Sequence, residues 1–318
     1  MKSQGSEDNI LHKEVNQMND RIKGPEKKQV TFNENRIAWR IGLNDFAKHV
    51  FSLSTVFAVL VLVILLYQIV EGSIGWLDWQ FLTSNLSIFP EKAGIKGAII
   101  GTMYLMMIVI PVTLILGVST AIYLEEYARD GRIQRIIKVN ISNLASIPSV
   151  IFGLLGLTVF SRLLGLGSSI LAGGLTMSLL VLPIVVVAAQ EALRAVPGFL
   201  REASYGMGAD KWTTIWRVVL PVSIPGILTG AILAISRAIG ETAPLVVLGI
   251  PTLILKIPTG IMDDFTVMPI QIYYWTLDTV LTPEYAYLAS ATIVVLLVTL
   301  FILNSVAIII RNKFQKTF

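Results

Sequence analysis

Six apolar runs, residues 50–70, 97–124, 139–160, 168–190, 222–248 and 285–310, leave this chain few ways to fold. Each matches or exceeds the ~20 residues that an α-helix needs to cross a hydrocarbon core. Lipid offers no water to an unpaired N–H or C=O, so an open sheet cannot span it and a helix can. The scarcity of charge agrees: 14% of the 318 residues are charged and 54% are hydrophobic, against about a quarter charged in a soluble domain. The fold expected is an all-α polytopic membrane protein with six transmembrane helices.

Charge placement sets the orientation, because cytoplasmic connections carry the excess of Lys and Arg. Residues 1–49, the second and fourth connections and the C-terminal end hold 20 of these cations, the opposite side 4, and Arg237 lies within a span. Without the long N-terminal stretch the split is still 11 to 4. Both termini and the loop 198–221 are therefore expected in the cytoplasm. Residues 1–47, rich in Lys, Glu, Asn and Gln, read as a soluble, flexible tail that can end in a short interfacial helix around 37–48; 48–318 form the transmembrane domain. The tail is no signal peptide, since the first apolar run lacks a small-residue cleavage site after it. On the outer side, 249–284 is punctuated by four prolines and carries Tyr273, Tyr274 and Trp275, rings expected at the headgroup level.

The inventory excludes much chemistry. There is no cysteine, and both histidines, His12 and His49, precede the first run. Thiolate chemistry and an intramembrane histidine or cysteine metal site are excluded. No Gly-x4-Gly-Lys-Ser/Thr occurs, so the chain cannot cradle nucleotide phosphates that way. Gly-x-Ser-x-Gly and His-Glu-x-x-His are also absent. Any driving energy has to come from a partner or an ion gradient.

Two constellations stand out. Glu202-Ala-Ser-Tyr-Gly-Met-Gly-Ala-Asp-Lys-Trp-Thr-Thr-Ile-Trp-Arg-Val-Val-Leu-Pro221 is a polar interruption between apolar runs. Pro197-Gly198 breaks the incoming chain and 199–205 can form a short helix. Gly206 and Gly208 then permit a tight turn, and a second helix leads into the next span. Such a hairpin can fit a groove on another protein; the plainer reading is an amphipathic loop helix on the membrane face. In the fifth run, Gly226, Gly230, Ala234, Arg237 and Glu241 fall within about 80° of one another on a helix. That face should point into the protein, small residues allowing close approach. Arg237 would sit roughly 16–22 Å into the membrane, where a charge is kept for a pathway or for a buried pair. Its guanidinium fork suits an oxyanion, with Glu241 to neutralise it and Thr242 nearby; the plainer reading is a structural Arg–Glu pair. In the third run, Pro148 should bend the helix, with Ser146 and Ser149 to satisfy freed backbone groups.

Read as Glu-Ala-(Ala/Ser)-x3-Gly-x9-(Ile/Val)-x-Leu-Pro, residues 202–221 resemble the coupling (EAA) loop of ABC-importer permeases; Ser204 and Val218 are the departures. Leu182-Pro-Ile, Glu191-Ala-Leu-Arg-Ala-Val-Pro197, Pro225-Gly-Ile-Leu-Thr-Gly230, Ser236-Arg-Ala-Ile-Gly-Glu-Thr-Ala-Pro-Leu245, Ile147-Pro-Ser-Val-Ile-Phe-Gly153 and Met268-Pro-Ile270 narrow this. They are similar to phosphate-importer permeases of the PstA type, over roughly 50–316. The resemblance implies the type I ABC-importer permease fold in a bacterial cytoplasmic (inner) membrane. It implies a PstC-type permease, a PstB-type ATPase dimer and an extracytoplasmic phosphate-binding protein as partners, and no nucleic acid. It assigns coupling to Glu202, Ala203, Ser204, Gly208, Ala209, Leu220 and Pro221, and the translocation pathway to Arg237, Glu241 and Thr242. Arg194 is a further candidate at the inner membrane edge. No catalytic site, metal or cofactor is implied on this chain; ATP and Mg belong to the ATPase. A molybdate or sulfate permease, or an ion-coupled secondary carrier using Glu241, are the alternatives.

Overall fold

The computed structural model describes residues 34–129, 131–251 and 257–314. Helices run in order α1 (Glu34–Ser73), α2 (Trp79–Thr83), α3 (Lys96–Ile122), α4 (Arg132–Leu144), α5 (Ser149–Leu155), α6 (Ile170–Arg194), α7 (Gly198–Gly206), α8 (Lys211–Thr214), α9 (Leu220–Gly240), α10 (Ala243–Leu248), α11 (Met268–Asp278) and α12 (Tyr285–Phe314). Wide π turns, Tyr123–Tyr127, Gly156–Leu163 and Ile215–Val219, extend α3 and α5 and join α8 to α9. Among the described residues there is no strand, only an isolated antiparallel pairing of Ser169 with Asp264.

Five helical stretches are long and apolar enough to cross a membrane, and α4 with the α5 stretch makes a sixth if that bent pair counts as one span. The expected tail 1–47 lies outside the described residues as far as position 33. The short interfacial helix expected near 37–48 is instead the beginning of α1, which continues unbroken into the first span. The described residues divide into two compact units, one up to Ile64 and one from Leu65 onward. In the first, the described side chains of α1 are almost all exposed.

In the second unit α6 is the central helix. Two-thirds of its apolar window is buried, against 33% for the α3 stretch and 11% for α12. It packs along α3 on one side and α9 on another, because its faces alternate small residues with Val and Leu. Opposite α9 it presents Ala188 and Ala192, and α9 answers with Gly230 and Gly226. A Cβ added at Gly226 would stand 2.8 Å from that of Ala192, and one at Gly230 would overlap that of Ala188. The small-residue face foreseen on the fifth helix is therefore a helix–helix contact. Gly230→Val is expected to cost about 1–3 kcal/mol of stability by overpacking, read as a lower midpoint in thermal unfolding of the purified protein; an unchanged midpoint would show that the helices part freely.

Two expectations are revised and one is sharpened. The bend expected at Pro148 in the third run is a sharp one: α4 and the α5 stretch meet at 104° across residues 145–148. Pro148 removes an N–H and disfavours helix at Ile147 before it, and α4 is amphipathic rather than apolar throughout. The fifth span ends at Gly240, not 248. Pro244 cannot bond the Gly240 carbonyl and its ring would clash there, so α9 stops and α10 starts with Pro244 in its first turn. Trp275 does not mark the interface; it is buried, with its ring centroid 6.2 Å from that of Phe81, whereas Tyr273 is exposed.

Candidate functional site

The loop between α6 and α9 folds as a helical hairpin. Pro197, extended at ψ 137°, ends one helix and starts α7. Gly208 takes φ +83°, a conformation open to glycine without strain, and turns the chain into α8. The Asp210 carboxylate caps α8 by accepting from the Thr213 amide at 3.1 Å. The hairpin is closed by the hydroxyls of Ser204 and Thr214, 2.8 Å apart. Glu202, Ala203, Ser204, Gly208 and Ala209 thus share one small structure. Leu220 and Pro221 lie beyond it, where α9 begins.

The hairpin has two unlike sides. Arg201 turns inward and is fully engaged. Its Nη2 donates to Glu126 Oε1 at 2.8 Å and to the Leu193 carbonyl at 2.9 Å, and its Nη1 to the Val196 carbonyl at 2.8 Å. Those carbonyls lie at and just beyond the C-terminal end of α6, where acceptors run short of helical donors; the Leu193 carbonyl also takes the Val196 amide at 3.3 Å. Glu126, 8% exposed, sits at the end of the α3 stretch. A single guanidinium therefore ties α7 to the ends of two membrane helices. Outward, Glu202 and Ala203 are exposed with Met207 (90%), Trp212 and Trp216, the two indoles 5.3 Å apart. Glu202 makes no hydrogen bond or ion pair among the described residues. Such a face has a carboxylate, small residues and aromatic rings to offer a partner.

Beside this tie lies a second cluster. Glu125 accepts from Lys138 Nζ (2.9 Å), Arg194 Nε (2.9 Å) and Nη2 (2.8 Å), and Gln190 Nε2 (2.8 Å). Arg194 also meets Glu191 at 2.9 Å, so this candidate is a structural cation. The sequence reading missed Glu125 and Glu126 because it counted only Lys and Arg at the ends of runs. Two adjacent acids closing a long apolar run were the signal.

Thr213, first through its hydroxyl and then its amide, holds the Asp210 carboxyl below the ordinary carboxylate range. A lowered folded value means the cap stabilises above the unfolded pKa and is lost as pH falls through the folded one. Protection of the Thr213 amide, its exchange measured against the base-catalysed intrinsic rate, is therefore expected to hold from neutrality through the ordinary aspartate range and to be lost only below it. Asp210→Ala should remove that protection at every pH, and equal protection in both proteins would dismiss the cap.

Arg237, Glu241 and Thr242 gather at the far end of α9, about 24 Å from Pro221 at 1.5 Å per residue. They do not share a continuous helix face. Glu241 is extended (φ −82°, ψ 125°), and its carboxylate reaches back to Arg237 Nε at 3.8 Å, with side chains 20% and 46% exposed. A contact this long and open is worth little to stability. Thr242 begins α10, its carbonyl accepting from the Leu245 and Val246 amides. Immediately before Arg237 on α9, Ser236 donates to the Ile232 carbonyl, and its Oγ lies 2.8 Å from Asn304 Oδ1 on α12. Arg237 is thus available to an anion. Among the described residues, no group of three or more histidine, aspartate or glutamate side chains is placed to hold a metal.

Comparison with known proteins adds what geometry cannot. Residues 113–315 match the family model described as binding-protein-dependent transport system inner membrane component. A probable ABC transporter permease protein, YqgI of Bacillus subtilis (strain 168), is 34% identical over 64% of this chain and 69% of its own. The phosphate transport system permease protein PstA 1 of Mycobacterium tuberculosis (strain ATCC 25618 / H37Rv) is 38% identical over 64% and 68%. PstA of Yersinia pestis is 30% identical over 87% and 92%. Among solved structures, an inward-facing MetNI methionine ABC transporter chain superposes with a TM-score of 0.56 at 16% identity, covering 70% of this chain and 96% of that one. That likeness establishes the fold.

Proposed function

Because the chain belongs to the binding-protein-dependent transport system inner membrane components, the permeases of ABC importers, we propose that it carries inorganic phosphate across a bacterial cytoplasmic membrane. It is a multi-pass integral membrane protein of an ABC importer, a class that works with an ATPase and a binding protein. The observation that carries the phosphate reading is the group of relatives named as phosphate permeases, one of them aligned over 87% of the chain. The specific partners on this reading are a PstC-type permease, a PstB-type ATPase dimer and an extracytoplasmic phosphate-binding protein. ATP and Mg stay with the ATPase; this chain holds neither.

The loop residues Glu202, Ala203, Ser204, Gly208 and Ala209 then form the piece that seats on the ATPase, with Leu220 and Pro221 leading into α9. Closure of the ATPase dimer on ATP pulls the two permeases' hairpins together. α9 passes that displacement to Arg237, Glu241 and Thr242, which meet the anion. An exposed guanidinium beside a weakly held carboxylate can exchange Glu241 for a phosphate oxygen at little cost, since the pair it gives up is long.

The test is uptake of radiolabelled phosphate, sulfate and molybdate into proteoliposomes containing the assembled complex. Phosphate uptake that needs both ATP and the ATPase is the expected result. Uptake without the ATPase would mean an ion-coupled carrier, and preference for another oxyanion would reassign the cargo. Orientation has its own check: single cysteines at Met207 and Lys313 should resist an impermeant maleimide in intact cells and react after permeabilisation, while one at Ile261 reacts at once. The reverse pattern would place the hairpin outside, out of reach of any ATPase.

A further inference from the structure

We propose that α4 is an in-plane anchor docked on the anionic lipid surface of the membrane, with Arg132, on the flank of its apolar stripe, as the headgroup ligand. The inference stands whether or not phosphate is the cargo. The span Lys96–Tyr127 ends, and the returning segment Ser149–Leu163 begins, on either side of α4, so both ends of α4 are held at one membrane face. α4 meets the returning segment at 104°. A helix of about 20 Å so disposed lies along the membrane plane rather than through it.

Its sequence suits that position. Ile133, Ile136, Ile137, Ile141 and Leu144 recur at helical spacing and form one apolar stripe. None is buried, and Ile133 and Ile136 are 75% and 60% exposed. The polar side is divided between two jobs. Lys138 and Gln134 fasten the helix to the end of the α3 stretch, Lys138 to Glu125 at 2.9 Å and Gln134 to the Leu124 carbonyl at 2.8 Å. Arg132 and Arg135 are exposed and make no ion pair or hydrogen bond among the described residues. With Gly131, Gln134, Lys138 and Val139 they line a cleft of about 550 Å³.

An interfacial helix is recognised by this pairing, an apolar face for the acyl boundary and cations for the headgroups. The phosphodiester of an anionic lipid supplies the charge, and a guanidinium fork matches its oxygens. Free phosphate would engage the arginines but leave the isoleucine stripe in water. A protein partner would cover the stripe without explaining why Arg132, the cation that borders it most closely on the helix, is left unpaired.

The natural sequence has no cysteine, so single cysteines at Ile136, Val139 and Ser142 can be labelled cleanly in the full complex in nanodiscs. A nitroxide at 136 should collide with oxygen in preference to a water-soluble nickel chelate, and one at 142 the reverse. A fluorophore at 139 should be quenched by brominated phosphatidylglycerol at a several-fold lower mole fraction than by brominated phosphatidylcholine. Arg132→Gln should abolish that preference and Arg132→Lys should keep most of it, while Arg135→Gln, on the water side with Ser142, should leave it unchanged. A 136 site shielded from both collision reagents would mean protein covers the stripe, and one as open to nickel as 142 would mean it lies in water. Either result, or equal quenching by the two lipids with both arginines present, overturns the proposal.

Discussion

Arg201→Gln should leave the assembled importer hydrolysing ATP while phosphate uptake falls by at least about tenfold, the equivalent of roughly 1.4 kcal/mol. The reason is what Arg201 holds. It is the only side chain among the described residues that joins α7 both to the end of the α3 stretch, at Glu126, and to the last carbonyls of α6. Glutamine cannot reach all three acceptors, and it leaves Glu126, 8% exposed, as an unpaired carboxylate. Removing one partner of a buried pair typically costs about 3–5 kcal/mol. Arg201 is 22% exposed, so the lower end of that range is the better guide.

The cost falls on the joint rather than on the whole fold. The hairpin keeps the Ser204–Thr214 contact and its Asp210 cap, and the membrane helices keep the α6–α9 packing. What loosens is the transmission between them, so a partner can still seat on the exposed face and turn over without moving the span. Three companions sharpen the reading. Glu126→Gln should be milder, because the arginine retains its two carbonyls. The double variant should lose less than the two singles added together, as expected of residues in direct contact. Arg201→Lys should recover part of the uptake, a single ammonium replacing a fork. The measurement is the ratio of phosphate transported to ATP hydrolysed in proteoliposomes. An unchanged ratio for Arg201→Gln would show that the hairpin moves the span by some other route.

The spans were legible because their cause is local: long apolar runs dictate helices wherever water is absent. The hairpin was legible too, since Pro197 and Gly208 each fix a conformation through their own covalent structure, while the Asp210 cap emerged only from the structure. The close approach at Gly226 and Gly230 followed from the absence of side chains there, although the partner, Ala188 and Ala192, did not. What escaped was tertiary. The bend in the run 139–160 was legible at Pro148, but its size, 104°, was not, and Asn140, Ser142 and Asn143 were the overlooked sign that α4 is amphipathic. The fifth run read as continuous to 248 because its residues stay apolar past Pro244, whereas the clash of that proline is felt four residues earlier, at Gly240. The Glu126–Arg201 tie joins residues 75 positions apart, and no periodicity along the chain encodes that.

Arg237→Gln is expected to lower phosphate uptake by roughly 10–100-fold, the loss of a charged hydrogen bond worth about 1.5–3 kcal/mol, with stability unchanged within about 0.5 kcal/mol. The two halves of that statement separate a pathway residue from a structural pair. A structural pair would be short and enclosed, and its loss would show in unfolding. Here the Nε–Oε2 distance is 3.8 Å and Arg237 is 46% exposed, so its removal strands nothing in a dry interior. The chain instead leaves α9 after Gly240, so that Glu241 points back from an extended residue and the guanidinium keeps donors to spare. Arg237→Lys should retain the charge without the fork and give intermediate uptake, chiefly through a weaker apparent affinity. Glu241→Gln should leave Arg237 uncompensated between cycles, tightening the hold on the anion and slowing turnover more than it alters affinity. Uptake and thermal unfolding measured on the same preparations decide the matter. Normal uptake by Arg237→Gln would remove the residue from the pathway, and a large fall in unfolding midpoint with proportional loss of uptake would return the pair to a structural role.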